Sequence, residues 1–288
     1  MKLIVDSGST KATWYVHLAD GTSLTIQTTG INPVRDEMAA MQAVVEDVRS
    51  QIRLELQMGR VSSSASDVFM EQVCFYGAGC IQPYSYSVRN LLQQAYPEAE
   101  VLVESDLLGA ARALCGHEEG IACILGTGAN SCLYDGYGIA RQTPALGWIL
   151  GDEGSGAVLG RHLVSDVLKG QLPQPLCHAF LERFQLSQTS IIEHVYRQSQ
   201  PNRFLASLVP FLAEHAKDVV VHDFLVREFR RFITRNVVAY DRRDLPVSLV
   251  GGVAWQFFSE VQEAVEAEGL CLGQIEKDPI EGMAKFHA

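Results

Sequence analysis

Basic residues are scarce: 23 Lys and Arg stand against 34 Asp and Glu in 288 residues, a formal net charge of −11. A nucleic-acid-binding surface needs a basic face, and this balance argues against one. It leaves a nucleotide site open, because a few local donors hold phosphates inside an acidic protein. CxxC pairs are missing as well. The seven cysteines, at 74, 80, 115, 123, 132, 177 and 271, lie partly in apolar runs. Buried thiols in a reducing cytoplasm are therefore expected, and neither a zinc site nor a disulfide framework is. No apolar run approaches a membrane span, and Met1 leads straight into a strand without the basic and apolar segments of a leader. Secretion and membrane insertion are not expected. What is present is an ordinary globular composition, 47% hydrophobic and 20% charged, on a chain long enough for two domains or one large one.

The chain begins "LIVDSGSTKATWYV", a strand, a run of Asp, Gly, Ser, Thr and Lys, and a second strand. Two residues suffice to reverse a strand. The run 6–11 is longer, and it offers backbone N–H groups and hydroxyls behind a single carboxylate. That inventory suits a polyanion with a metal ion; an ordinary polar turn is the alternative. A third strand is expected at 24–28, an amphipathic helix at 35–57, strands at 72–76 and 101–104, and helices at 87–96 and 107–114. The order βββαβαβα implies a mixed sheet with helices on it.

A shorter copy of the opening follows in "ACILGTGANSCLYDG", strand 121–125, turn 126–130 and return strand 131–134. Two copies of one unit suggest a duplicated fold of two domains facing each other across a site. After Arg161 the chain reads as mostly helical, with amphipathic stretches at 204–216 and 222–240. A strand at 247–250 then meets Gly251-Gly252 and a helix over 254–268. That glycine pair fits either close approach of a ligand or a tight strand-to-helix connection.

An acidic Gly/Ser/Thr hairpin, a Gly-Thr-Gly hairpin and a late strand-Gly-Gly-helix occur in this order in the superfamily of actin, heat-shock chaperones and sugar kinases. The chain resembles one branch closely, the N-acetylglucosamine kinases of the BadF/BadG ATPase-like family. The matching stretches are "DSGSTK" at 6–11, "GINP" at 30–33, "ESDLLGAARAL" at 104–114, "ILGTGANSCLYD" at 124–135, "GWILGDEGSG" at 147–156 and "VGGVAW" at 250–255. They span nearly the whole chain, and "GWILGDEGSG" is the most specific. The resemblance implies an α/β protein of two duplicated ribonuclease H-like domains, an actin-like ATPase fold with a nucleotide and sugar cleft between them. The first domain is expected at 1–115, rejoined by a C-terminal helix 278–288, and the second at 116–277.

The resemblance further implies a cytoplasmic sugar kinase, moving a phosphoryl group from ATP with Mg²⁺ to the 6-hydroxyl of N-acetylglucosamine or a related amino sugar. Asp106 would be the general base, although a carboxylate opening a helix also serves as a cap. Asp6 would hold Mg²⁺, against a turn-capping role. Gly8, Thr10, Lys11, Gly126, Thr127, Gly128, Gly251 and Gly252 are implied for ATP, with Lys11 equally readable as a solvated strand residue. Asn32, Asp106, Asn130, Gly147, Trp148 and Asp152 are implied for the sugar. The structural alternative makes Trp148 core and Asp152 the N-cap of the helix that follows, beginning near Gly154. The partner is then a small-molecule sugar, with no nucleic acid and no membrane, and a homodimer is left open. Another hexose kinase, or an ATPase or sugar-sensing module of the same fold, are the competing functions. The interface cysteine that iron–sulfur ATPases of the broad family need is missing, which argues against an electron-transfer activator.

Overall fold

The computed structural model describes residues 1–8, 10–18, 21–58 and 69–288; Ser9 of the first hairpin lies outside the described residues. The chain divides into two compact units, Met1–His117 with Pro279–Ala288, and Glu118–Asp278.

The first unit is built on β1 (Lys2–Ser7), β2 (Lys11–His17), β3 (Ser23–Thr29), β4 (Gln72–Gly77) and β5 (Glu100–Ser105), in the order β3-β2-β1-β4-β5. β1 is antiparallel to β2 and parallel to β4, which is parallel to β5. Its helices are α1 (Met38–Gln57), α2 (Ser85–Ala95) and α3 (Asp106–Cys115). Alternation along β1 explains the packing. Leu3 and Val5 enter the core that Met41, Val45, Val48 and Ile52 of α1 close at helical spacing. Ile4 faces the other side, with Cys74, Tyr76, Ile280 and Met283. α1 starts three residues later than the expected 35, because residues 32–36 form a turn of their own. The Asn32 N–H donates to Asp36 Oδ2 at 2.8 Å, and the Asp36 N–H to the Asn32 carbonyl at 2.8 Å.

The second unit repeats the plan with β6 (Glu119–Leu125), β7 (Ala129–Asp135), β8 (Ile139–Gln142), β9 (Pro246–Val250) and β10 (Cys271–Glu276), in the order β10-β9-β6-β7-β8. Read from its other edge, this is the strand order of the first sheet. The strand directions also agree, so the duplication lies in the topology as well as in the hairpins. Between β8 and β9, where the first unit has α1, stand α4 (Gly147–Leu150), α5 (Gly156–Leu168), α6 (Gln174–Phe184), α7 (Gln188–Tyr196), α8 (Pro201–Ser207), α9 (Pro210–Glu214) and α10 (Val219–Phe232). A π-helical turn, Ile233–Val237, and a 3₁₀ turn, Val238–Tyr240, follow. After β9 come α11 (Gly252–Gln256) and α12 (Phe258–Ala267).

Three helical expectations are corrected. The stretch 204–216 is two helices, because Pro210 has no N–H to continue α8 and instead opens α9. The stretch 254–268 breaks at Phe257, and 222–240 is α-helical only to Phe232.

The last helix, α13 (Ile280–Phe286), returns to the first unit and packs on α3 and β1. Behind it, Arg112 Nη1 donates to the Tyr76 hydroxyl at 2.7 Å, so the Tyr76 proton is directed to His287 Nε2, also 2.7 Å away. That arrangement needs a neutral imidazole. Burial, with the Arg112 and Lys2 charges, accordingly pushes the His287 pKa down to about 4. Among the described residues no helix is long and apolar enough to cross a membrane.

Candidate active site

The carboxyl ends of β1, β4 and β5 lie along one edge of the first sheet, with Ser7, Gly77 and Ser105 in register. Outside such an edge is where an open α/β sheet places a ligand. The buried Ser7 hydroxyl is committed to structure: it accepts from the Ile31 N–H at 2.8 Å and donates to the Ile31 carbonyl at 3.1 Å. The Ser7 carbonyl accepts from the Ala78 N–H at 2.8 Å, and a trans peptide therefore turns the Gly8 N–H the opposite way. Asp6 is half-buried and shares the strand face of Ile4, while Thr10 and Lys11 are exposed. Asn32 Oδ1 accepts from the Val34 N–H at 3.0 Å, so its amide NH₂ is what it offers a ligand.

Asp106 stands one residue beyond the Ser105 row. It does not cap the helix it opens: Ser105 Oγ does, accepting from the Leu108 N–H at 3.2 Å. Asp106 Oδ1 accepts from the Leu107 N–H at 2.9 Å. Burial raises the Asp106 carboxyl above its ordinary value, against the backbone hydrogen bonds that lower it. The neighbouring Cys80 thiol is pushed up to about 12, by burial first and by the Asp106 charge second.

In the second unit the β6–β7 hairpin closes with Leu125 opposite Ala129. The Gly126 and Thr127 carbonyls accept from the Gly156 and Ala157 N–H groups at the start of α5, at 2.8 and 3.1 Å. With both carbonyls tied back to α5, trans geometry points the Thr127 and Gly128 N–H groups away from it. Two adjacent amides so directed form an anion cradle. Gly251, at φ 125°, lies where any Cβ would strike the Leu125 carbonyl, so the late glycine pair begins as a close connection packed on this hairpin. Gly252 opens α11, and nothing would meet a Cβ there.

Asp152 lies against Gly128, whose Cβ, were there one, would stand 3.2 Å from Asp152 Oδ2. It too leaves the cap to a serine: α5 starts at Gly156, later than the expected 154, and Ser155 Oγ accepts from the Val158 N–H at 3.3 Å. Asp152 instead holds a left-handed backbone, φ 52°. Burial raises its pKa to about 6 and Glu153 adds to the rise, while the Ala129 and Gly147 N–H groups that its carboxylate accepts oppose it. Gly147 and Trp148 form the first turn of α4. Trp148 is half-buried against the core, and its carbonyl accepts from Arg161 Nη1. Asn130 Oδ1 takes the Ser131 N–H at 3.0 Å and Gln142 Nε2 at 3.1 Å. The structure thus gathers Asp6, Gly8, Asn32 and Asp106 at one sheet edge. It gathers Gly126, Thr127, Gly128, Asn130, Asp152 and Gly251 around the second hairpin. Sequence reasoning missed the serine caps, for neither serine has the Glu or Gln three residues on that marks a capping box.

No family model matches the chain. A solved structure from Porphyromonas gingivalis, provisionally named an N-acetylglucosamine kinase, is 42% identical, with a TM-score of 0.90 over 100% of this chain and 98% of that one. A second, from Chromobacterium violaceum and named in the same provisional way, is 21% identical with a TM-score of 0.75 over 100% and 98%, a likeness of fold. Glucosamine kinase GspK of Vibrio cholerae is 34% identical over 105 residues, a match spanning 35% of either chain.

Proposed function

The chain belongs to the N-acetylglucosamine kinase family of sugar kinases, and from that premise we propose that it transfers the γ-phosphoryl group of ATP to the 6-hydroxyl of an amino sugar. The observation that carries the proposal is the release of Asp106 and Asp152 from capping by Ser105 and Ser155, which leaves two carboxylates raised by burial. Carboxylates raised by burial and not spent on capping a helix are candidates for a functional site.

Asp106 takes the proton of the attacking hydroxyl, a task that favours a carboxylate more basic than ordinary. Asp152 accepts hydrogen bonds from the sugar hydroxyls, and the amides of Asn32 and Asn130 add donors. Gly147 and Trp148 line the side of the sugar's nitrogen substituent. The Thr127 and Gly128 N–H groups bind phosphate oxygens, joined by those of the first hairpin. Gly251 and Gly252 flank the nucleoside.

Among the described residues no group of three or more His, Cys, Asp or Glu side chains is placed to hold a metal ion. Mg²⁺ fits nonetheless, since it takes one or two carboxylates and completes its shell with water and phosphates. Asp6 would hold it at the hairpin entrance; when bound, the ion neutralises charge on the β- and γ-phosphates.

The test is ADP release measured with N-acetylglucosamine, glucosamine, N-acetylmannosamine and glucose at saturating ATP–Mg²⁺. Sugar-dependent turnover, fastest with an amino sugar, is expected. ADP release indifferent to every sugar would instead identify an ATPase, and sugar binding without turnover a sensor.

A further inference from the structure

Glu153 is the residue beside Asp152 that no role above uses. Its side chain is only 12% exposed, an unusual place for a glutamate. Its two carboxylate oxygens reach the π-helical turn after α10: Oε1 pairs with Arg235 Nε, and Oε2 accepts from Asn236 Nδ2 at 3.3 Å. The turn is itself fastened, since the Asn236 carbonyl accepts the Ser131 hydroxyl at 3.2 Å and the Thr143 hydroxyl at 2.8 Å. On the far side of Glu153, Gly154 holds φ 72° with Phe232 and Phe229 so close that a Cβ would crowd them. The loop carrying Asp152 is therefore seated on the end of α10 by a glycine contact and on the π-helical turn after it by an ion pair and a hydrogen bond.

We propose that Glu153, latched by Arg235 and Asn236, is the positioning residue that holds Asp152 in its left-handed conformation and aims its carboxylate at the sugar. The inference rests on the proposed role of Asp152. A non-glycine residue at φ 52° is held there only by its surroundings. The Ala129 and Gly147 N–H groups grip its side chain, and the latch grips its neighbour. A π-turn is the kind of local widening that proteins keep at functional sites. Here it presents Arg235 and Asn236 to the same carboxylate.

The latch also sets charge. The Glu153 carboxylate adds to the rise of the Asp152 pKa, and Arg235 offsets Glu153. Also near the loop are Arg161, which donates to the Trp148 and Ile149 carbonyls, and the titratable His162 beside it, hydrogen-bonded to Glu228. The hairpin contributes none, being Gly126, Thr127, Gly128 and Ala129 at this point. Removing either partner of the latch must therefore move Asp152 in opposite directions. Without the Glu153 charge it ionises at lower pH; without Arg235, Glu153 is less compensated and Asp152 ionises at higher pH.

The experiment compares Glu153→Gln, Arg235→Gln and the parent, full-length, by pH profiles of kcat/KM for the sugar and by NMR titration of the ¹³C-labelled carboxyl groups, with Asp152→Asn assigning the signal. Both variants should raise KM for the sugar several-fold with KM for ATP unchanged. The Asp152 titration should shift down in Glu153→Gln and up in Arg235→Gln, each by roughly half a unit, the scale of one nearby charge. Shifts of the same sign, or none, overturn the proposal, because a merely structural loss displaces both variants alike. The NMR titration needs no turnover, so absence of kinase activity in the parent would fail the functional proposal and leave the latch measurable.

Discussion

The β1–β2 and β6–β7 hairpins share strand order and direction, yet they keep their negative charge in different places. The first closes with Ser7 opposite Ala12 and carries Asp6 in the strand just before the loop. The second closes with Leu125 opposite Ala129 and has Ile124 at the matching place. Its carboxylate comes instead from Asp152, on a separate loop lying against Gly128. A carboxylate inside a strand is fixed by the ladder around it. One brought in by a loop is fixed only by that loop's anchors, and those anchors can tune its charge. Duplication has kept the backbone and reassigned the source of the acid.

The strongest way to break the comparison is at Asp106, which belongs to the first unit's edge. Asp106→Asn keeps the shape and removes the proton acceptor, so kcat should fall by about two to four orders of magnitude. Calorimetry should find ATP and sugar binding nearly intact. A loss of less than about tenfold would mean that Asp106 is not the base.

Asp152→Asn tests the acid that the second unit takes from a loop. Hydrogen bonds to charged groups contribute roughly 1.5–3 kcal/mol, so KM for the sugar should rise by one to two orders of magnitude while KM for ATP moves little. Stability should respond in the other sense. The native pKa of about 6 lies above the ordinary 3.8, so between these values the native state binds more protons than the unfolded chain. Stability then declines as pH rises through that window, and the full cost of the buried charge stands above pH 6. Melting curves of the Asn variant should match the parent near pH 4 and exceed it at pH 8.

Thr127→Val removes a hydroxyl from the hairpin that keeps no acid of its own. One hydrogen bond is worth about 1 kcal/mol, so ATP affinity should drop roughly fivefold with sugar affinity unchanged. Equal losses of both in calorimetry would indicate a folding defect instead. The smallest expected effect is at His287. Its native pKa of about 4 lies below the ordinary 6.5, so the unfolded chain binds more protons between the two, and stability is lost as pH falls through that window. His287→Gln should flatten this acid-side decline in a melting-temperature series. The two units thus answer acid with opposite signs, His287 weakening one and Asp152 relaxing the other.

The two hairpins and the α1 stripe were legible because alternation and helical spacing follow directly from which side chains face a core. β8 and β10 were not. β8 has four residues, all at least partly exposed, and β10 buries Ile275 alone, so neither shows a period. The π-turn is equally silent, since Ile233 and Val237 fit the same apolar spacing an α-helix would use. At the site, Asp106 and Asp152 stood out by residue type and motif. Whether they cap a helix depends on which of two nearby polar side chains reaches a given N–H, and no spacing rule settles that for "SD" or "DEGS". Glu153 was hidden for a related reason: its partners Arg235 and Asn236 lie far along the chain, and only tertiary packing brings them to it.

The return of α13 to the first unit has a consequence for how the chain is made. Synthesis delivers Glu118–Asp278 complete before Pro279–Ala288 exists, whereas the first unit needs those last residues to cover Ile4 and Tyr76. Of the two units, the one begun first is finished last. The face of Ile4 and Tyr76 that α13 covers must wait, sheltered only by α3, through the translation of the entire second unit, a stage at which a nascent chain is open to aggregation and to chaperone capture.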